Sequence, residues 1–326
     1  MSTPFSHFFT KINQISPLEH EFTEVLDAIA LKPKTLYFYG KLPENVLKND
    51  KQMRPKTVAI VGSRHNTKYG EEVAYRLAYE LAKHGVIVVS GLAYGIDSIG
   101  HRGCLDGGGT TIAVLGTRID DIYPKNHIAL AEEIIKDGGA IISEYSPLDL
   151  INAPLAPAEY TNEQGHRQIE QKAAFLYRNR IISGLADIVV VVEAAEKSGS
   201  LNTATHALDQ GKEVFAVPGN ITNPYSQGCN KLIKQGACPY TDPQDILREL
   251  FPEDYIKKHR LIKKQKLIGD TDAETKILQA VASGVKTGDA IMELTYLPPE
   301  VFNQTVTLLE LKSRLRSLSM NTWTLI

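Results

Sequence analysis

The chain of 326 residues has room for about two domains. A hydrophobic content of 43% supports a packed core and excludes wholesale disorder, while a net charge of −2 excludes a basic coat over the whole surface. No apolar run approaches the roughly 20 residues of a bilayer span, and Met1 to Lys11 carries no charged-then-apolar export signal. The three cysteines (Cys104, Cys229, Cys238) form no Cys-x-x-Cys pair, so no disulfide framework or thiolate zinc site is expected, and a reducing cytoplasm is.

Residues 15 to 50 hold a short helix-like piece, Glu19 to Ile29, and an aromatic strand candidate, Leu36 to Tyr39. Residues 1–55 are too short for a domain and are expected to pack on the edge of the core that begins at residue 56. From 57 to 250 one pattern repeats: a β-rich apolar run, a glycine-bearing turn, an amphipathic stretch. The runs are Thr57–Val61, Val86–Ser90, Thr111–Leu115, Ala140–Glu144, Ile188–Val192 and Glu213–Val217. They are continuously apolar rather than alternating, as strands buried on both faces of a parallel sheet are. Between the first two, Val73, Leu77 and Leu81 recur at a spacing of four, and Gly85 closes the helix. His127–Asp137 and Leu201–Gln210 read the same way. The alternation predicts an α/β fold over residues 56–250, a doubly wound parallel sheet with right-handed crossovers. Residues 251–270 form a basic linker with six Lys/Arg (Lys257, Lys258, Arg260, Lys263, Lys264, Lys266), either a solvated face or an auxiliary phosphate contact. Residues 271–326 form a small helical unit ending in the strand-like Trp323–Ile326.

In an open parallel sheet ligands bind beyond the carboxyl ends of the strands. The turns there are Gly62-Ser63-Arg64, Gly91 to Asp97, Gly116-Thr117-Arg118 and Pro218-Gly219-Asn220, with Ser198 to Thr203 opening a helix that includes Ser200. Glycines and helix starts at one edge suit phosphates. Yet Gly62 to Thr67 lacks the three-glycine dinucleotide fingerprint, and no Walker lysine motif occurs, so no nucleotide cofactor is expected. Arg64, Arg178 and Arg180 are candidate phosphate ligands; the plainer alternative for the last two is pinning a loop through backbone carbonyls. Phe175 and Tyr177 beside them suit base stacking next to a charged groove. The nine histidines show no metal-ligand spacing. His101, close after Asp97, reads as structural. Glu144 and Glu193 each close a strand at the same edge, as a pair of acids would, but no catalytic constellation stands out.

The ordered motifs Val58-Ala-Ile-Val-Gly-Ser-Arg64, Ser90-Gly-Leu-Ala-Tyr-Gly-Ile-Asp97 with His101, Asp120 to Pro124, Ser143-Glu144, Arg178-Asn-Arg180, Ser198-Gly-Ser200 and Ala216-Val-Pro-Gly219 resemble the DNA-processing protein A (DprA/Smf) family. The resemblance implies an extended Rossmann-like domain with a C-terminal winged-helix unit at 271–326. It implies a homodimeric protein, not an enzyme, that binds and protects single-stranded DNA in natural transformation and loads the RecA recombinase. It places the DNA pocket at Gly62, Ser63, Arg64, Arg178 and Asn179, with Lys172 and Phe175 contacting phosphate and base. Residues 147 to 174 depart from the family's short proline-rich approach, and Leu176 stands where many members have proline. The third helix of the last unit, Pro299 to Leu311, carries Glu300 and Glu310 and no Lys or Arg, a poor match to duplex DNA and better suited to a protein contact. The rival reading is a nucleoside-phosphate hydrolase of the lysine-decarboxylase-like type. Its Pro-Gly-Gly-x-Gly-Thr-x-x-Glu run is absent, and Ser198 to Thr203 occupies the comparable place without the glutamate.

Overall fold

The computed structural model describes residues 11–48, 51–151, 160–161, 167–169, 171–251, 267–319 and 321–325. The basic run from Lys257 to Lys266 and much of 152–170 lie outside them. The chain divides into two units, residues 1–250 and 251–326.

The first unit opens with β1 (Asn13–Ile15) and β2 (Leu36–Gly40), then a small hairpin of β3 (Val46–Lys48) and β4 (Lys51–Met53). The repeat continues as β5 (Thr57–Val61), α1 (Lys68–Lys83), β6 (Ile87–Ser90), α2 (Ile96–Asp106), β7 (Thr111–Leu115), α3 (Ile128–Lys136) and β8 (Ala140–Ser143). The short strands β9 (Leu150–Ile151), β10 (Tyr160–Thr161) and β11 (Arg167–Ile169) form a sheet of their own. Then come α4 (Gln171–Leu185), β12 (Ile188–Val191), α5 (Gly199–Asp209), β13 (Glu213–Ala216), α6 (Gln227–Lys234), β14 (Cys238–Pro239) and α7 (Pro243–Leu250).

The main sheet has the order β1-β2-β8-β7-β6-β5-β12-β13-β14, parallel from β8 onward, with β2 pairing antiparallel on β8. The order reverses between β5 and β12, which makes their carboxyl ends the switch point where such folds place ligands. Alternate residues of each strand face opposite sides. Val61, Val89, Val114 and Val191 meet Ile181, Ile182 and Leu185 of α4, and Ala204 of α5. On the other side Ala113, Leu115 and Ile141 meet Leu130, Ala131 and Ile134 of α3. Both faces are covered, which is why the strands read as unbroken apolar runs.

The expected helix at Glu19–Ile29 is instead two 3-10 turns, Pro17–Glu19 and Glu24–Ala28. The Thr23 hydroxyl donates to the carbonyls of Pro17 (2.8 Å) and His20 (3.1 Å), local bonds that compete with a continuous helix. Phe22, Leu26 and Ile29 still reach the core, and Leu26 lies so close to α4 that a Cβ on Gly184 would sit 2.7 Å from its Cδ2.

The second unit holds α8 (Asp272–Ala282), α9 (Gly288–Thr295), α10 (Pro299–Leu311) and an antiparallel hairpin, β15 (Leu315–Ser319) and β16 (Thr322–Leu325). Ile277, Leu278, Ile291, Phe302, Val306 and Leu309 form its own core. Its acidic residues are partly engaged internally: Lys312 Nζ lies 2.6 Å from both Asp270 and Glu274, and Trp323 Nε1 donates to Glu310 at 2.9 Å. Among the described residues no helix is long and apolar enough to cross a membrane, and no His/Cys/Asp/Glu group is arranged to hold a metal ion.

Candidate nucleic-acid interface

At the switch point β5 runs into Gly62-Ser63-Arg64. A Cβ on Gly62 would meet Ile96 Cγ1 at 2.7 Å and the Glu193 carbonyl at 3.0 Å, so only glycine lets the three segments close up. The Ser63 amide donates to Glu193 O (2.7 Å), its carbonyl accepts from the Ile96 amide (3.1 Å), and its hydroxyl closes a tight turn with His65. Ser63 is therefore a brace. The next residue, Arg64, is exposed, and its guanidinium lies over the Phe175 ring, 5.3 Å from the centroid.

The helix starts here differ from an empty phosphate cradle. Glu193, buried at the end of β12, accepts from the Thr67 amide (2.8 Å) and hydroxyl (2.6 Å) and so caps α1. Asp97, in the first turn of α2, accepts from the Gly91 amide at 3.1 Å and from the Ala93 amide. Burial pushes the Asp97 carboxyl up, against the opposing pull of Arg178 and these amides. Two anion seats, the start of α1 and the amides of the turn before α2, are thus filled by the chain's own carboxylates. At the third, the start of α5, the capping groups are neutral: Ser198 Oγ accepts from the Ser200 amide and lies 2.8 Å from Ser200 Oγ. Asn179 ties α4 to this turn by donating to Gly199 O (3.2 Å) and Asn202 Oδ1 (3.1 Å).

Both α4 arginines point inward. Arg178 donates to the carbonyls of Gly91 (3.0 Å) and Val114 and to Asn179 Oδ1 (3.2 Å). It faces Asp97 across Gly91, where an added Cβ would lie within 2.7 Å of both side chains. Burial lowers the Arg178 guanidinium to about 10, countered by Asp97. Arg180, 1% exposed, places Nη2 2.8 Å from both Glu144 oxygens and donates to the carbonyls of Leu31 (2.6 Å) and Tyr177 (3.0 Å). Pinning backbone carbonyls is what both side chains do. Glu144 and Glu193 have separate partners and stand four strand spacings apart, about 19 Å. They are not a catalytic pair.

His101 is fully buried, with Nδ1 2.7 Å from Thr111 Oγ1 and Nε2 without a hydrogen-bond partner among the described residues. Burial, helped by His127 and Arg178, pushes it down to about 3, so it is neutral across the working range and a poor general base. The unfolded chain, at 6.5, takes up this proton first as pH falls, so His101 contributes stability that is present above pH 6.5 and lost towards pH 3. Between pH 7 and pH 5 the loss should be about 2 kcal/mol. Urea melts at both pH values should show His101→Gln losing correspondingly less.

Arg64, Phe175 and Arg178 come together at a notch also lined by Gly91, Ala93, Tyr94, Tyr123 and Pro124. Its enclosed space is only about 10 Å³, room for about one water, so it is a shallow surface notch and far below the roughly 300–1,000 Å³ of small-molecule pockets. Lys172 is exposed three residues before Phe175, on the same side of α4. Gly62, Ser63, Asn179 and Ser200 shape the surrounding turns, and Arg180 turns away toward Glu144. Sequence reasoning passed over Tyr94 and Tyr123 as site residues, because an aromatic in a turn ordinarily reads as a core anchor. Their signal was position: each directly adjoins a glycine or proline in a turn beyond a strand's carboxyl end.

The family model for DNA recombination-mediator protein A matches residues 13–251, most of the chain. The chain belongs to the DNA recombination-mediator protein A family. Within this family it is 46% identical over 193 residues to protein Smf of Escherichia coli, an alignment covering 59% of this chain and 46% of Smf. It therefore spans about half the length of that relative. The solved structure of DNA processing protein A from Streptococcus pneumoniae is similar at 36% identity and a TM-score of 0.59, covering 74% of this chain and 75% of that one. DNA processing protein A from Helicobacter pylori, whose structure concerns its single-stranded DNA binding mode, is 29% identical with a TM-score of 0.57, over 75% of this chain and 96% of that one. The family match includes both edges of the notch, the β5 turn and α4.

Proposed function

We propose that this recombination-mediator family member binds single-stranded DNA without sequence preference, protects it and loads a RecA-type recombinase onto it, acting in the cytoplasm as a homodimer and not as an enzyme. The observation that carries this reading is Arg64, exposed at the switch point and resting on Phe175. A cation beside a ring is the recipe for holding a phosphate next to a stacked base, and every base has a face to stack. The H. pylori relative's single-stranded DNA binding mode favours the same ligand. Lys172 extends the positive edge along α4, and the Ser200 turn offers the start of α5, which no carboxylate caps among the described residues. The second unit we read as a winged helix that contacts protein, since α10 presents Glu300 and no Lys or Arg.

Filled seats at α1 and at the Gly91 turn, a neutral His101 and separated carboxylates all weigh against the hydrolase alternative. Free base released from nucleoside monophosphates would restore it. The direct test is a titration of Arg64→Ala against single-stranded and duplex DNA at two salt concentrations. Affinity for all single-stranded sequences should fall alike, and the salt slope should flatten by roughly 0.7 per lost phosphate contact. An unchanged slope removes Arg64 from the site.

A further inference from the structure

We infer that the outer face of α10 is a docking seam for a helix of a partner protein, one whose apolar stripe is edged by Lys or Arg. The inference rests on the reading of the second unit as a protein contact and adds the chemistry of the partner. α10 is apolar on two sides. Phe302, Val306 and Leu309 enter the unit's own core. Val301, Leu308 and Leu311 face outward and are 38%, 48% and 77% exposed. At about 100° per residue these three and the exposed Gln304 fall within about 80° of one another, on a strip roughly 15 Å long. A surface helix keeps its outer face polar, and one that is apolar all round is covered by something. Positions 301, 304, 308 and 311 follow the spacing by which one helix seats another. Two heptads are the length of an anchor set rather than of a free-standing coiled coil.

Charge separates the candidate occupants. On one flank of the strip Glu300 is exposed and makes no ion pair among the described residues. On the other, Lys312 lies 2.6 Å from both Asp270 and Glu274, and Arg314, beside Asp270, donates to the Ile268 carbonyl at 3.0 Å. The cations are engaged, whereas Glu300 is open and the Asp270 side chain is 76% exposed. A phosphate backbone or an anionic lipid surface finds no available cation along this edge. A second copy of the chain brings the same engaged cations and offers Glu300 no counter-charge. A Lys or Arg beside an apolar stripe complements both features at once.

The probe is a labelled three-heptad peptide of Leu and Lys in helical pattern, set against a Leu/Glu twin and titrated into the full chain. The Leu/Lys peptide should bind at least about tenfold more tightly than its twin. Leu308→Ser combined with Leu311→Ser should weaken it about tenfold or more. Glu300→Gln should weaken it about two- to threefold and flatten its salt dependence. These side chains are exposed, so both variants should melt in urea as the parent does and bind single-stranded DNA unchanged, which separates the seam from the notch. An unchanged peptide affinity in the serine variant, or equal affinity for the twin, overturns the helix partner alone. A dimer lost on sedimentation of the serine variant also overturns it, because the seam then belongs to a second copy. Duplex DNA affinity lost in that variant brings down the protein-contact reading of the unit as well.

Discussion

Glu144→Gln should destabilise the first unit by about 3–5 kcal/mol in urea unfolding, the usual result of leaving one member of a buried ion pair without its partner. Arg180 is 1% exposed and gives both Glu144 oxygens a bond at 2.8 Å, so a neutral amide leaves an uncompensated guanidinium in the core. Its remaining bonds, to the Leu31 and Tyr177 carbonyls, and its place 3.6 Å from the Tyr177 ring centroid supply no negative charge. Replacing both members with apolar residues of similar volume, Glu144→Leu with Arg180→Met, should recover most of the loss. Because the pair points away from the notch, the folded fraction of Glu144→Gln should bind single-stranded DNA as the parent does. A fully stable single variant would mean that the charge is neutralised some other way.

Arg178→Ala should be comparably damaging, about 3–5 kcal/mol, for a different set of reasons. It orphans the carbonyls of Gly91 and Val114 and strips the buried Asp97 of the cation facing it. Adding Asp97→Asn should return part of the stability by removing the stranded charge. Binding should fall with it, since the Gly91 turn positions the notch. The contrast with Arg64 is the informative comparison. Arg64→Ala should change stability by no more than about 0.5 kcal/mol while weakening binding, because an exposed side chain makes no core contact. Urea melts and strand titrations on both variants separate a residue that builds the site from one that touches the ligand.

The apolar runs mark the parallel strands to within a residue at most ends: Thr57–Val61 and Thr111–Leu115 coincide with β5 and β7, and Ala140–Glu144 overshoots β8 by one. A strand buried on both faces has a composition no other element shares at that length, so the code there is local. The 3-10 turns before β2 escape local reading because Thr23 and the packing of Leu26 on α4 decide them. At the notch, that Arg64 lies in the turn beyond β5 was legible from its place after an apolar run. Which way Arg178 and Arg180 point was not, since an arginine beside a ligand edge and one holding a carbonyl look identical in sequence. Asp97 and Glu193 were visible as acids near turns, but that Glu193 occupies the start of α1 and Asp97 the amides of the Gly91 turn depends on how the segments fold together. Tyr94 and Tyr123 meet at the notch only because the turns after β6 and β7 converge there.

If the site binds single strands as proposed, the carboxylates seated at the start of α1 and on the amides of the turn before α2 bear on selectivity among free nucleotides. Mononucleotides drawn to a fold of this kind by their phosphates find those two docking points taken by Glu193 and Asp97. What stays open is a shallow rim of rings with Arg64 and Lys172 exposed and the start of α5 uncapped by any described carboxylate, which on the single-strand reading would hold a single nucleotide weakly and gain strength with every further linked unit. On that reading polymer is preferred to metabolite through chain length.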